Sequence, residues 1–254
     1  MKVAIFQTKL AWENPETNRM FIEEYVTNET KSFDLLVLPE MFTSGFTMNP
    51  RKVAEKMNGE TIQWLQSLAK RKKTAITGSL VIEENGNYFN RMVFVFPSGE
   101  VEHYDKRHLF TLAGEHQNYQ AGNEKKIIHY LNYKLCLQIC YDLRFPVFAR
   151  NVEDYDVLLY VANWPKPRIS AWDALLKARA IENMCYTIGV NRIGFDANEL
   201  EYTGHSQIID FFGNTMINCE SEQGIFIYEL DKEAMMTTRQ KLNFLKDRDT
   251  FELH

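Results

Sequence analysis

Cysteine is scarce: there are four in 254 residues, at positions 136, 140, 185 and 219. So few in so long a chain do not make a disulfide framework, and a reducing compartment would keep them as thiols. No Cys-x-x-Cys or His-x-x-x-His spacing occurs, which argues against a structural zinc site, and no metal is expected. A basic surplus is also missing. The formal net charge is −5, so neither nucleic acid nor an anionic membrane surface is an expected partner. The one basic cluster, Lys70-Arg71-Lys72-Lys73, follows the helix-like TIQWLQSLAK, where cations complement a helix C-terminus. No apolar run approaches the ~20 residues of a membrane span. The opening MKVAIFQTKL is short and broken by Gln7 and Lys9, unlike a secretion signal, so a cytoplasmic location is expected. Repeats, linkers and phosphate-cradling glycine loops are absent too.

With 45% apolar and 25% charged residues, the composition is that of an ordinary globular protein, and the length suits a single domain over 1–254. Eleven strand-like segments recur: 3–8, 34–39, 74–82, 88–96, 100–104, 126–131, 133–140, 156–162, 186–191, 206–211 and 224–230. They are rich in Val, Ile, Tyr and Phe and bounded by Gly, Asn, Asp and Pro. Between some of them lie helices with readable starts. Asn14-Pro15-Glu16 supplies an N-cap, a proline at the first helical position and a first-turn acid. Ser170 with Asp173 has the form of a capping box opening SAWDALLKARAIENMCY, on which Leu175, Arg179 and Glu182 share a face. Helices alternate with strands at both ends of the chain, and the pattern predicts α/β layers with parallel and antiparallel pairing.

Three stretches carry residues suited to chemistry. DLLVLPEMF ends an apolar strand with Pro39-Glu40; the proline stops the ladder, and Glu40 then either projects past the strand end or faces solvent as a loop acid. HYDKRHLFTLAGEHQNYQAGN gathers Lys106, Arg107, His108, Glu115 and His116 into a long aperiodic loop of the kind that carries function. YKLCLQIC, read as a strand, sends Cys136, Gln138 and Cys140 to one face and Leu135, Leu137 and Ile139 to the other. Cys136 fits a small buried hydrophobe. Cys140 fits that less well, because Tyr141, Asp142 and Arg144 follow at once and set it at a strand-to-loop junction where a thiol can be reached.

Taken together, PEMF with Glu40, YDKRHLF with Lys106 and ICYDLRFP with Cys140 are separated by 66 (106 − 40) and 34 (140 − 106) residues. In that order they resemble the carbon–nitrogen hydrolases of the nitrilase superfamily. VAIFQ, GEHQNYQAGN, VANWP, RAIEN, VNR, GHSQIID and FGN stand in the family's order too, so the resemblance covers most of the chain. It implies an α/β fold built as a four-layer α-β-β-α sandwich. It also implies that Cys140 is a nucleophile forming a thioester, that Glu40 is its base and later the acid, and that Lys106 and the backbone N–H of Tyr141 meet the oxyanion. Glu115 matches a second acid beside the lysine. With the nucleophile and base both side chains, no cofactor is implied. A Cys–His enzyme would need a histidine as base, and neither His108 nor His116 has a recognisable third partner.

The motifs look most like the omega-amidase branch, which removes the terminal amide of 2-oxoglutaramate and 2-oxosuccinamate. Such a small-molecule substrate needs a cation for its free carboxylate. Arg144 is the candidate, and it either meets that carboxylate or braces the loop through Asp142. Phe145, Asn163 and Trp164 are candidates for the pocket wall and equally good core residues. Two other readings stand beside this one: a related enzyme for another amide, such as a carbamoyl-amine or deaminated glutathione, and a silent binding protein on the same fold. The presence of Glu40, Lys106 and Cys140 counts against the second. Family members commonly dimerise through helices such as 170–186, so a homodimer is expected.

Overall fold

Among residues 1–253, which the computed structural model describes, the apolar segments form two six-stranded sheets and a two-stranded ribbon. In chain order the strands are β1 (Lys2–Gln7), β2 (Leu35–Val37), β3 (Ala75–Glu84), β4 (Asn87–Val95), β5 (Val101–Asp105), β6 (Lys126–Tyr130), β7 (Tyr133–Ile139) and β8 (Val157–Ala162). They continue with β9 (Tyr186–Asn191), β10 (Ile193–Phe195), β11 (Glu201–Thr203), β12 (Gln207–Ile209), β13 (Thr215–Asn218) and β14 (Gly224–Glu229). The helices are α1 (Pro15–Asn28), α2 (Pro50–Val53), α3 (Glu60–Lys72), α4 (Glu115–Asn118), α5 (Pro146–Ala149), α6 (Ile169–Asn183) and α7 (Lys232–Leu242).

The first sheet runs β14-β1-β2-β3-β4-β5 and the second β13-β12-β9-β8-β7-β6. In each, three central strands are parallel: β1, β2 and β3 in one, β7, β8 and β9 in the other. Parallel strands need crossovers: α1 and α3 supply them on the first sheet, while on the second the turn Cys140–Arg144 with α5 joins β7 to β8 and α6 joins β8 to β9. Both faces of these strands are therefore covered, which is why β2 and β8 are apolar at every position.

Alternation along the strands sorts side chains into three large cores. Between the two sheets, Val3, Ile5, Val37 and Phe94 of the first share a core with Leu135, Leu137, Ile139, Leu159 and Val161 of the second. Ala4, Phe6 and Leu36 turn outward to Ile22 and Val26 of α1 and to Leu65 and Leu68 of α3. Cys136, Leu158 and Tyr160 turn the other way, to Trp172, Leu176 and Ala180 of α6. The result is a four-layer α-β-β-α sandwich, as the family resemblance implies. Gly189 of β9 lies against α6 so closely that a Cβ there would meet Leu176 at 2.5 Å and Trp172 at 2.7 Å.

The start of α1 agrees with the sequence: Asn14 Oδ1 accepts from the Thr17 amide, with Pro15 at the first helical position. The start of α6 does not. Its N-cap is Arg168 without a side-chain cap, and Ser170 lies inside the first turn. The short helical turn Lys166–Arg168 runs straight into α6, and Asp173 is engaged with His205 and Gln207 instead. Farther along α6, buried Arg179 pairs with Glu182 at 2.9 Å and donates from Nη2 to the Leu143 carbonyl at 2.6 Å. That bond ties the outer helix to the turn after β7. Three elements have little sequence pattern to announce them: the β10/β11 ribbon, β13 and α7. No helix among the described residues is long and apolar enough to cross a membrane.

Candidate active site

Ligands in open α/β sheets sit beyond the carboxyl ends of the parallel strands. Here two sheets bring such ends together. Glu40 follows β2 of the first sheet, while Cys140 follows β7 and Asn163 follows β8 of the second. Two residues at these ends have left-handed backbone, Met41 (φ 44°) and Cys140 (φ 45°). A non-glycine residue in this region costs on the order of 1 kcal/mol or more and persists only where its surroundings hold it. At Met41 the amide donates to Ser79 Oγ at 2.8 Å. At Cys140 the following turn is held by Asp142, which is fully buried and accepts from the Ile139 amide (2.9 Å), the Tyr104 hydroxyl (2.8 Å) and the His108 amide (3.0 Å).

Glu40, Lys106 and Glu115 are all fully buried. Lys106 Nζ donates to Glu40 Oε1 at 3.0 Å and to Glu115 Oε2 at 2.9 Å. Asn90, in the middle of β4, bridges the same two carboxylates: its Nδ2 is 2.8 Å from Glu40 Oε1 and 3.2 Å from Glu115 Oε1. The second oxygen of Glu40 accepts from the Asn163 amide at 2.8 Å, and Asn163 Nδ2 donates to the Glu40 carbonyl at 2.6 Å. Glu115 Oε2 also accepts from the Phe110 amide at 2.6 Å. These bonds replace the water that buried charges would otherwise lose.

Burial alone would lower the Lys106 ammonium, but Glu115 and then Glu40 outweigh it and hold the group protonated. Burial raises the Glu115 carboxyl, with Lys106 opposing and Glu40 adding to the shift. The Cys140 thiol is pushed well above its ordinary value by burial and then by Glu40, against the pull of Lys106. The resting site therefore holds a neutral thiol beside carboxylates and a lysine cation. A thiol is a weak nucleophile until its proton leaves, and Glu40 lies within hydrogen-bond reach of the Cys140 sulfur.

Cys140 is half-buried and opens into a cavity of about 540 Å³, a size suited to a small molecule. Tyr141, Arg144, Asn163 and Trp164 line it as well. Arg144 is exposed, lies over the Trp164 ring at 5.0 Å and makes no ion pair among the described residues. It does not brace Asp142, whose partners are named above. Phe145 stands apart from the cavity: its ring stacks on His108 at 3.7 Å, and His108 Nδ1 lies 2.7 Å from Asp142. The expectation that Phe145 forms a cavity wall is corrected on that ground, since the turn aims its ring toward His108. The far wall, which includes Glu13, Phe46, Asp196 and Tyr202, has no counterpart in the sequence reading. Nor does Asn90, although an asparagine within the strand YFNRMVFV is a readable sign of a buried polar role.

A thiol, two carboxylates and a lysine are thus gathered at one end of the two sheets, and comparison with known proteins shows the family. The carbon–nitrogen hydrolase family matches residues 2–240, and the chain belongs to that family, acting as a hydrolase of amides. Within the nitrilase superfamily it falls in the omega-amidase branch. The omega-amidase YafV of Yersinia enterocolitica is 40% identical over 254 residues, covering 100% of this chain and 98% of that protein. A 2-oxoglutaramate amidase of Bacillus subtilis is 32% identical, covering 96% of each chain. A carbon–nitrogen hydrolase superfamily protein of Xanthomonas campestris, solved with an arsenic adduct in its active site, is 38% identical. It superimposes with a TM-score of 0.97 over 100% of this chain and 99% of that one.

Proposed function

We propose that this enzyme hydrolyses the terminal amide of small 2-oxo dicarboxylic acid monoamides, such as 2-oxoglutaramate and 2-oxosuccinamate, through a thioester on Cys140. The observation that carries the reading is the contact of Glu40 with Lys106 at 3.0 Å, fully buried, beneath a cavity that contains Cys140 and the unpaired Arg144.

Glu40 takes the proton of the Cys140 thiol as sulfur attacks the amide carbon. The oxyanion is met by Lys106 Nζ and the Tyr141 backbone N–H, donors of the kind whose loss costs ~10²–10³ in rate. Glu40 returns its proton to the amide nitrogen, the carbon–nitrogen bond breaks and ammonia leaves. Water then attacks the thioester, giving a proton to Glu40, and sulfur departs with that proton to regenerate the thiol. Glu115 holds Lys106 in place from the other side. Asn163, which lines the cavity, holds Glu40 from the second sheet. Arg144 takes the free carboxylate with its two-pronged guanidinium, and Trp164 supports it from below.

The relatives described above, and a free cation in the cavity, support a 2-oxo acid over a carbamoyl-amine. Four unpaired cysteines suit a reducing cytoplasm. A homodimer fits the exposed apolar pair Ile181 and Phe212, at 51% and 53% exposure. The deciding experiment is ammonia release from 2-oxoglutaramate by the wild type and by Cys140→Ala, with circular dichroism to confirm folding. Turnover that disappears in the variant supports the reading. A folded wild type that releases no ammonia from this substrate, yet hydrolyses another amide through Cys140, overturns the substrate and keeps the chemistry.

A further inference from the structure

The cavity contains a second arginine that this mechanism does not use. Arg168, at the N-terminus of α6, lines the same cavity as Cys140 and Arg144. Its guanidinium lies over the Phe110 ring at 5.2 Å, and Phe110 packs edge-on against Tyr141 with 5.0 Å between centroids. The Arg168 carbonyl accepts from the Trp164 indole N–H at 2.7 Å, so the ring that supports Arg144 also anchors the backbone of Arg168. Neither arginine forms an ion pair among the described residues; each is held against an aromatic face with its hydrogen-bond donors free.

Two carboxylates line the far wall, but both are already engaged. Glu13 pairs with Lys52 at 2.7 Å and accepts from Thr47 Oγ1 at 2.5 Å. Asp196 accepts from the Tyr202 hydroxyl at 2.9 Å and from the amides of Asn198 and Leu200 at 2.8 and 3.0 Å. Asp196 keeps its charge, while the two arginines are the charged side chains of the lining whose donors are unengaged among the described residues.

We infer that Arg168 is a specificity-determining residue that reads the group next to the substrate carboxylate, accepting a 2-oxo group and rejecting a 2-ammonium. The inference rests on the function proposed above. One guanidinium suffices for a carboxylate. A 2-oxo acid adds a keto oxygen, a further acceptor that a second guanidinium can meet. The corresponding 2-amino acid monoamide, glutamine, differs only in placing an ammonium there, which guanidinium groups lining the same cavity repel. Rejection of this kind needs a repulsive element, and Arg168 supplies one.

The test compares wild type with Arg168→Gln and Arg168→Lys on three substrates that share amide and carboxylate: 2-oxoglutaramate, glutamine, and glutaramate, which has neither group at the second carbon. In Arg168→Gln the ratio of kcat/KM for 2-oxoglutaramate over glutaramate falls about tenfold or more, and the ratio for glutamine over glutaramate rises, in line with a lost charged hydrogen bond. Arg168→Lys keeps the charge, so glutamine stays disfavoured while the preference for the oxo acid weakens. Wild-type selectivity that persists in both variants overturns the role of Arg168 alone. A wild type that does not prefer 2-oxoglutaramate over glutaramate and glutamine overturns this role together with the proposed substrate.

Discussion

Asn163 clasps Glu40 twice, by its backbone amide to the carboxylate and by its side-chain amide to the Glu40 carbonyl, across the gap between the two sheets. Replacing Asn163 with Ala removes the second bond and leaves a buried carbonyl without its donor, at a cost of about 1–3 kcal/mol. The expected outcome is a kcat at least about tenfold lower with a modest loss of thermal stability, measured by steady-state kinetics and a melting curve. Unchanged kcat would remove Asn163 from the site.

Asn90 is the donor shared by Glu40 and Glu115. Asn90→Ala leaves both carboxylates with one hydrogen bond fewer to their charged forms, which favours protonation. The acidic limb of the kcat/KM profile is therefore expected to move to higher pH, and kcat to fall. A profile that falls uniformly without moving would assign Asn90 a purely structural part.

Gly122 shows how a site can be damaged from a distance. Its amide donates to the Lys106 carbonyl at 2.9 Å, and a Cβ at this position would meet the Asp105 carbonyl oxygen at 2.3 Å. Gly122→Ala must shift the backbone that carries Lys106, and a displacement of about 1 Å there is enough for a ~10²-fold loss of rate. Kinetics beside a circular dichroism spectrum would separate this from unfolding, because the expected variant keeps its secondary structure.

Alkaline stability follows from the thiols. Burial raises Cys185 and Cys219 to about 12, and raises Cys136 and Cys140 further, from an ordinary value of 9.0. Above pH 9 the unfolded chain releases protons that the folded chain keeps, so the stability tied to these groups is full below that pH and declines as pH rises toward the folded values. Urea unfolding at about pH 7, 9 and 10.5 should show little change over the first interval and a clear drop over the second. A flat response across all three would contradict the burial of these thiols.

The strands are the most legible part of the sequence. YTIGVN coincides with β9, and all eleven segments expected to be extended overlap strands, because apolar runs bounded by turn residues have few other uses. The start of α6 escapes such a reading because Ser170 and Asp173 have capping chemistry in sequence but partners elsewhere in space. At the site, Glu40 and Cys140 stand out because polar residues interrupt apolar strand ends. The far wall of the cavity does not. Glu13, Phe46, Asp196 and Tyr202 come from three separated stretches that meet only when the chain has folded.

Glu40 hangs from one sheet and the sulfur of Cys140 from the other. In the proposed mechanism the chemistry runs across the seam of the core, and turnover would act as a strain gauge for it. If one sheet slid slightly over its neighbour, every ladder within each sheet would remain intact and an ordinary spectrum of secondary structure would not register the change. In that mechanism the rate would, because the proton passes between Glu40 and Cys140 across that gap. Seam side chains such as Val37 and Leu137, buried in the core between the sheets, would in that mechanism bear on catalytic alignment as well as stability.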